Sequence, residues 1–209
     1  MLDNHLFLNN PCHSPFPKDT RQVIFGMGCF WGVEKLFWQQ HGIYTTAVGY
    51  AGGLSENPNY QAVCTGQTGH TEVVLVVYHP EIILFQELLQ LFWENHDPTQ
   101  GMRQGNDIGT QYRSAVFYHS AQQQEQAQTI IAEIEAQQIW PNPVVTEVVP
   151  LSNYSPAEDY HQDYYKLDTR VLTRFGYRKQ SDVYYRYRDA CGRDQRVREL
   201  WGSAAPFAK

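Results

Sequence analysis

The chain of 209 residues is 42% hydrophobic and 18% charged, which allows a folded core and argues against a disordered chain. Its four cysteines have no regular spacing and no CxxC pair occurs, so a disulfide framework and a zinc-ligand set are not supported. The N-terminus lacks the basic and apolar regions of a signal peptide, and no apolar run approaches the roughly 18 residues of a membrane span. We therefore expect a cytoplasmic protein in a reducing compartment, without membrane association.

Charge is divided unevenly along the chain. Residues 166–209 hold 11 of the 16 lysines and arginines and 5 of the 22 acidic residues, so this segment carries +6 and residues 1–165 carry −12. A basic tail can bind nucleic acid, but behind an acidic body it fits packing on that body, or docking of an acidic protein, at least as well. We expect no nucleic-acid partner.

Hydrophobic periodicity predicts strands and helices that alternate early in the chain. Residues 1–20 contain three prolines and are predicted to form an irregular arm. Strands are predicted at 23–25, 43–50, 71–78, 112–119 and 144–149, a loop at 55–69, and helices at 30–41, 80–95, 121–138, 157–167 and 181–190. Several connections are too short for a doubly wound fold. We therefore predict an α+β two-layer sandwich, with helices on one face of a mixed or antiparallel sheet.

A cysteine between glycines joins the first predicted strand to the first predicted helix, in the sequence GMGCFWG at residues 26–32. At a helix start, the sulfur of Cys29 faces unpaired N–H groups and the positive end of the helix dipole, which favour a thiolate. A lone cysteine can also be an inert, buried hydrophobic residue. Phe30 and Trp31 can likewise form an apolar surface beside a nucleophile or belong to the core.

A carboxylate, Glu72, opens a run of five hydrophobic residues at 73–77. It is either a solvated residue at the edge of a strand or a partly desolvated acid. Desolvation would raise its pKa and keep it protonated near neutral pH, ready to donate a proton.

The polar stretch at 105–114 runs into a predicted strand, and loops of this kind position ligands because their polar groups are not used by the core. The phenols of Tyr60, Tyr112 and Tyr164 can each reach an oxygen atom of a ligand. Each of them can also be a structural aromatic side chain, and position alone does not decide between the two.

Five blocks, taken in order, closely resemble the A-type peptide methionine sulfoxide reductases: GCFWG at 28–32, NPNY at 57–60, GHTE at 69–72, NDIGTQYRS at 106–114 and AEDYHQDY at 157–164. The resemblance covers about residues 20–165, and five ordered blocks argue against a chance match. It implies a single catalytic domain over residues 1–209. Within it, an α+β sandwich with a ferredoxin-like core would occupy about 20–165, and an irregular or helical, basic C-terminal extension would occupy 166–209.

The resemblance implies thiol-dependent reduction of methionine-S-sulfoxide to methionine, in proteins and as the free amino acid, as repair of oxidative damage. Cys29 matches the nucleophile that attacks the sulfoxide sulfur and becomes a sulfenic acid. Glu72 matches the acid that protonates the sulfoxide oxygen. The other matched residues form the substrate pocket: the phenols of Tyr60 and Tyr112 for the oxygen, Phe30 and Trp31 for the methyl group, and Tyr164 and Asp107 to shape the site.

A sulfenic acid is resolved by a second thiol, and the resulting disulfide needs an external reductant, here expected to be thioredoxin with no metal or other cofactor. Many family members carry the resolving cysteine in a short glycine-rich tail that this chain lacks. We expect Cys191 in that role, because Gly192 would end a helix there and leave the thiol at a loosened, reachable terminus. Cys12 is the alternative, and Cys64 is predicted to be a buried structural thiol. The protein is expected to be a monomer.

Two other classes of function remain open from the sequence. A cysteine hydrolase would need a histidine beside Cys29, and His70, His96 and His161 are available. A binding module would use the aromatic pocket to hold oxidised methionine without turning it over. A metal site is least supported, because no ligand spacing suggests one.

Overall fold

The computed structural model describes residues 3–138, 140–173 and 175–202, and the remaining residues of the predicted domain and extension lie outside these ranges. The strands are β1 (Arg21–Met27), β2 (Ile43–Ala51), β3 (Thr71–Tyr78), β4 (Arg103–Gln104), β5 (Asp107–Ile108), β6 (Ser114–Tyr118), β7 (Glu147–Pro150), β8 (Tyr154–Pro156), β9 (Arg170–Thr173) and β10 (Gly176–Lys179). The helices are α1 (Phe30–Trp38), α2 (Tyr60–Cys64), α3 (Phe85–Glu94), α4 (Ala121–Ala136), α5 (Gln180–Ala190) and α6 (Arg193–Trp201).

Six of these strands form one mixed sheet in the order β7-β6-β1-β3-β2-β8. Strand β1 is antiparallel to both β3 and β6, β2 is antiparallel to β3 and β8, and β7 is parallel to β6. All of β3 is buried, because its run of valines and leucine faces side chains on both sides of the sheet. The predicted α+β class and mixed sheet are confirmed.

The two faces of the sheet are covered differently. On one face, helices α1, α3 and α4 pack on the strands, and the ring of Phe25 stacks on Phe37 and on Phe92 with centroids 5.1 Å apart in each pair. Because side chains alternate along a strand, the neighbouring Ile24 points to the other face. There it packs with Cys12 of the N-terminal arm. The helices thus lie on one face, as expected.

Three stretches differ most from the predicted elements. The helix predicted at 80–95 begins at Phe85, after a turn in which the backbone N–H groups of residues 82 and 83 bond to His79. The helix predicted at 157–167 is instead two 3₁₀ turns, Asp159–His161 and Tyr164–Lys166, separated by Asp163 at a left-handed φ of 51°. The predicted loop at 55–69 contains the short helix α2, which Asn59 caps by accepting from the Ala62 N–H at 2.9 Å.

The antiparallel pairing brings three chain segments together at one edge of the sheet. Met27, at the end of β1, pairs with Ser114, at the start of β6, and Phe25 pairs with Val74 near the start of β3. The turn after β1 therefore lies beside the first residues of both neighbours. These are the segments that contain Cys29, Glu72 and Tyr112.

The part of the extension that is described, residues 166–202 without 174, contains the β9–β10 hairpin followed by α5 and α6. Helix α5 packs against α1 and against the turn Tyr164–Lys166. In the described ranges, we find no helix that combines the length and the apolar character required to cross a membrane.

Candidate active site

A cavity of about 270 Å³ at this edge of the sheet collects eight of the nine predicted site residues. They come from β1–α1, α2, β3, β5 and two short turns, and they are Cys29, Phe30, Trp31, Tyr60, Glu72, Asp107, Tyr112 and Tyr164. The ninth, Cys191, does not line the cavity. The rest of the wall comes from the C-terminal extension, through Thr173, Phe175, Val183 and Tyr187.

The Cys29 thiol lies at the start of α1 and is buried, with 6% of the residue exposed. Burial raises its pKa well above the ordinary value, and the negative charge of Glu72 raises it further. Arg193 and the backbone N–H of Trp31 oppose this rise without overcoming it. The expectation that the helix start leaves Cys29 as a thiolate is therefore wrong for the protein without substrate, because desolvation outweighs the N–H groups and the dipole.

The Glu72 carboxyl is the second residue of β3 and is only 2% exposed, so the solvated interpretation is wrong. Burial raises its pKa to about 8, and Asp107 adds to the rise. The backbone N–H of Phe30 donates to Glu72 Oε2 at 3.1 Å and, together with Arg193, limits the shift. Near neutral pH this side chain holds a proton that it can give to a ligand.

The phenols of Tyr60 and Tyr112 belong to residues whose backbones are held in place by local structure. The Tyr60 backbone N–H donates to Glu158 Oε1 at 2.9 Å, and Tyr112 ends the 3₁₀ turn Thr110–Tyr112 that leads into β6. Burial first, and then the charge of Glu72, raises the pKa of both phenols. Both hydroxyls therefore stay protonated and can donate hydrogen bonds.

Aromatic rings form the apolar part of the wall. Trp31 stacks on Tyr164 with ring centroids 3.8 Å apart and planes within 10°. The indole N–H of Trp31 donates to His161 Nδ1 at 3.0 Å. Burial lowers the pKa of His161 to about 4, so this ring is neutral and can accept that bond. Phe30, which is 1% exposed, completes the wall.

Two further polar groups reach the site from the C-terminal extension. The Tyr187 hydroxyl donates to Asp107 Oδ2, and Arg193 Nη2 lies 3.5 Å from the same oxygen. Arg193 Nη1 donates to the backbone carbonyl of Cys29 at 3.3 Å. Sequence reasoning missed both residues, because a tail rich in basic and tyrosine residues does not reveal which of them turn inward. The only sequence feature noted close to them was the predicted helix end at Cys191–Gly192.

The Cys191 thiol differs from its predicted setting. Gly192, at φ +68°, does follow the end of α5, but Cys191 is only 3% exposed. Its thiol donates to the Arg188 carbonyl at 3.1 Å, and its own carbonyl accepts from the Asn106 N–H at 2.8 Å. The predicted loosened, reachable terminus is therefore wrong, because α6 begins at once and this turn packs against the turn between β4 and β5 at Asn106.

The other two cysteines also have distinct positions. Cys12 is 2% exposed and lies in the cluster on the far face of the sheet, where the Thr45 hydroxyl contacts its sulfur at 3.8 Å. Cys64 is exposed, so its predicted burial is wrong. The one-turn helix α2 points Val63 into the core, and the next residue faces outward.

The three histidines named for a hydrolase do not supply a base to Cys29. Both ring nitrogens of His70 contact other groups, Gly53 N–H and the Ser55 carbonyl, and His96 contacts the Phe92 carbonyl and Ser114. His161 Nδ1 accepts from the Trp31 indole. Among the described residues that line the cavity there is no histidine.

The His5–Glu34–Asp163 cluster is the group of potential metal ligands in the described residues. His5 Nδ1 accepts the backbone N–H groups of Phe7 and Leu8, at 3.0 and 3.2 Å. Its Nε2 therefore carries the ring proton and faces Asp163 Oδ1 at 3.0 Å. An N–H donor cannot ligate a metal, so this cluster fits an anchor for the N-terminal arm.

Comparison with known proteins shows the family to which the chain belongs. The family model described as peptide methionine sulfoxide reductase matches residues 21–203. The peptide methionine sulfoxide reductase MsrA of Azotobacter vinelandii is 54% identical over 162 residues, which are 77% of this chain and 75% of that protein. The MsrA of Salinispora arenicola is 53% identical over 167 residues, 78% of this chain and 76% of that protein.

Solved structures of the same kind of reductase have a similar fold. Methionine sulfoxide reductase A of Corynebacterium diphtheriae matches with a TM-score of 0.69 at 42% identity, covering 78% of this chain and 80% of that chain. Mxr1 from Saccharomyces cerevisiae in complex with Trx2 matches with a TM-score of 0.52 at 25% identity, covering 75% and 93%. The chain therefore belongs to the peptide methionine sulfoxide reductases, a family of oxidoreductases. Within that family it is of the A type, MsrA.

The proton on Glu72 predicts how stability depends on pH. Its pKa is about 8 in the folded protein, against an ordinary value of 4.5, so between these pH values the folded state binds a proton that the unfolded state has released. The stabilisation that this proton contributes is therefore lost from wild type as the pH rises through this window. Glu72→Gln carries no such proton, and we expect its free energy of unfolding to increase relative to wild type between pH 5 and pH 8, as measured by urea denaturation.

Glu81→Gln, at an exposed carboxylate, is the matched control for the loss of one charge. If Glu72→Gln differs from wild type by the same free energy at both pH values, Glu72 is not protonated in the folded protein.

Proposed function

We propose that this chain reduces methionine-S-sulfoxide to methionine, in proteins and as the free amino acid, and so repairs oxidative damage. The observation that carries the proposal is the cavity in which the Cys29 thiol and the protonated Glu72 carboxyl share a wall with phenols and aromatic rings. A methyl sulfoxide is polar at its oxygen and apolar at its methyl group, so a pocket with one polar and one aromatic side suits it. Membership in the MsrA family supports the same reaction.

The chemical step takes two electrons from Cys29. The Cys29 sulfur attacks the sulfoxide sulfur while Glu72 gives its proton to the oxygen, which turns a poor leaving group into one that departs as hydroxide or water. The attack leaves a bond between the two sulfur atoms, and this bond breaks when water or hydroxide adds to the Cys29 sulfur. The substrate then leaves as the thioether of methionine, and Cys29 carries the added oxygen as a sulfenic acid. In the balance, one sulfoxide and one thiol give one thioether and one sulfenic acid.

The remaining residues bind and orient the substrate. Tyr60 and Tyr112 donate hydrogen bonds to the sulfoxide oxygen, and the burial that raises the pKa of their phenols keeps these donors protonated. Phe30 and Trp31 receive the methyl group. Tyr164 supports the wall through its stacking on Trp31, and Asp107 orders the polar side.

Attack by a buried thiol with a raised pKa is easiest while Glu72 still holds its proton. While Glu72 is ionised, its charge disfavours a second negative charge on the adjacent sulfur. A protonated Glu72 removes that repulsion, so the state that can donate the proton is also the state in which Cys29 is most easily deprotonated. The two groups therefore titrate as a pair.

Resolution of the sulfenic acid is assigned to Cys191. Its thiol would attack the Cys29 sulfenic sulfur, releasing water and forming a disulfide, which thioredoxin then reduces. Supporting this, the Cys191 carbonyl bonds to Asn106, beside the site residue Asp107, whereas Cys12 lies on the opposite face of the sheet. The complex of the relative Mxr1 with Trx2 supports a reductant of this kind. Because Cys191 is buried in its reduced position, its turn must move for the disulfide to form.

A ferredoxin-like core is also proposed. It is supported by the chain order β1-α1-β2-β3-α3-β6 together with the spatial order β6-β1-β3-β2, which is the split βαβ arrangement. A single catalytic domain with a basic C-terminal extension, a monomeric state, a cytoplasmic location and the absence of nucleic-acid, metal and cofactor partners remain predictions from the sequence.

Neither alternative class is favoured. A hydrolase lacks support because the described wall of the cavity contains no histidine to act as a base. A binding module without turnover conflicts with membership in a family of reductases.

Trapping the sulfenic acid tests the proposed reaction. We expect methionine sulfoxide, and not methionine, to produce a dimedone adduct on Cys29 that is detected by peptide mass spectrometry, because only reduction of the sulfoxide oxidises the thiol. Cys29→Ser should give neither adduct nor methionine, while Cys12→Ser retains both. In Cys191→Ser, where the proposed resolving thiol does not compete with dimedone, formation of methionine without an adduct on Cys29 would contradict the proposal.

The assignment of Cys191 has its own test. We expect Cys191→Ser to form about one methionine per enzyme molecule and then to stop with thioredoxin as the reductant, because the sulfenic acid forms but is not resolved. Quenched-flow analysis of methionine measures the first turnover, and Cys12→Ser is the matched control that should keep turning over. Sustained turnover of Cys191→Ser at the wild-type rate would refute the assignment. If Cys12→Ser instead stops after one turnover, Cys12 is the resolving cysteine.

A further inference from the structure

A buried arginine, Arg193, reaches the nucleophile from the C-terminal extension. Gly192, at φ +68°, starts α6 so that Arg193 is its first residue, and the Arg193 side chain is only 4% exposed. Its Nη1 donates to the Cys29 carbonyl at 3.3 Å, and its Nη2 lies 3.5 Å from Asp107 Oδ2. Its Nε has no hydrogen-bond partner among the described residues.

Burying a cation with so few partners costs free energy. A merely structural arginine would be expected to have its five N–H donors paired with carboxylate or carbonyl oxygens. Arg193 instead keeps one incomplete ion pair and one bond to the backbone of the nucleophile. The free-energy cost of burying Arg193 is explained if its positive charge acts on the Cys29 thiol.

Glycines of the core leave the space in which the extension docks. A Cβ atom added to Gly28 would lie 2.8 Å from Arg193 Nη2, and Gly28 has a left-handed φ of +81°. A Cβ atom at Gly32 would overlap the Tyr184 hydroxyl, and one at Gly105 would overlap the Cys191 carbonyl. The docked extension and the GCFWG turn therefore fit together closely.

The charge balance around Cys29 depends on Arg193. The ionisable groups that face the thiol come from β3, β5, α5, α6 and two turns, and they are Glu72, Asp107, Tyr184, Tyr187, Arg193, Tyr112 and Tyr164. Glu72 and Asp107 raise the pKa of Cys29, and Arg193 lowers it. Loss of Arg193 would leave two carboxyls and no positive side chain from this set beside a buried thiol.

We propose that Arg193 is a positioning residue that holds the Cys29 turn by its backbone and supplies the positive charge beside which the thiolate forms. The proton of the thiol leaves to solvent, and the guanidinium stabilises the negative sulfur that remains. The nucleophile is then fully activated only while the C-terminal extension is docked over the cavity. The consequence for turnover rests on the proposed reductase function, whereas the effect on the Cys29 thiol does not.

The test is the pH dependence of Cys29 alkylation by iodoacetamide, followed by mass spectrometry of the Cys29 peptide in the full chain. It needs neither substrate nor reductant. We expect Arg193→Gln to move the midpoint of the profile upward by about one pH unit, and to slow alkylation below the midpoint about tenfold. Arg193→Lys should restore most of the shift. Arg186→Gln removes the same charge from an exposed position on α5, and should match wild type.

An unchanged alkylation midpoint in Arg193→Gln would overturn the proposal, because it excludes an effect of the charge on the Cys29 thiol. A uniform change of the alkylation rate at every pH would also overturn it, because that shows only a change in the access of iodoacetamide to Cys29. Failure of Arg193→Lys to rescue a shifted midpoint would also overturn it. If Arg193→Gln does not fold, Asp107→Asn replaces it. That variant removes a negative charge near Cys29 and frees Arg193 from its partner, so the midpoint should fall, and a midpoint that rises or stays would count against the proposal.

A reductase assay with dithiothreitol separates this inference from the proposed function. A shifted alkylation midpoint in an enzyme that reduces no methionine sulfoxide would leave the role of Arg193 intact and refute the function. Normal sulfoxide reduction with an unshifted alkylation midpoint would support the function and refute the role of Arg193.

Discussion

The site depends on the burial of a carboxyl and a thiol side by side. Antiparallel pairing of β1 with β3 places the end of one strand beside the start of the other, and the Phe30 N–H to Glu72 Oε2 bond at 3.1 Å links the two segments. Burial desolvates both groups, so each favours its neutral form. An acid that holds its proton near neutral pH, with a pKa of about 8, is the direct result.

This burial also makes Cys29 harder to deprotonate, and other groups of the site oppose that effect. A neutral thiol is a weak nucleophile, and desolvation raises the pKa of Cys29 instead of lowering it. The groups that oppose the rise are the N–H of Trp31 at the helix start and the guanidinium of Arg193. One is local to the motif, and the other arrives from a segment more than a hundred residues further along the chain. The extension thus contributes electrostatics as well as part of the cavity wall.

Sequence alone predicted the sheet and most of the site because those signals are local. The apolar run of β3 and the glycines around Cys29 are readable without a partner, and the resemblance placed Glu72, Tyr60 and Tyr112 at the same pocket. The burial of individual side chains was harder to predict, because it depends on which distant segments of the chain pack against them. Glu72 was left open, Cys64 was wrongly placed in the core and the sign of the Cys29 shift was wrong. The inward turn of Arg193 has no local signature at all.

The central proposal is that the site selects the configuration of the substrate sulfur, because the oxygen would lie towards Glu72 and the phenols and the methyl group towards Phe30 and Trp31. A sulfoxide sulfur is chiral, so only one epimer would meet both conditions while Cys29 attacks. The most direct measurement is methionine formation from each purified epimer of methionine sulfoxide under identical conditions. The account predicts reduction of the S epimer alone. Reduction of the R epimer alone, or of both at equal rates, would contradict it.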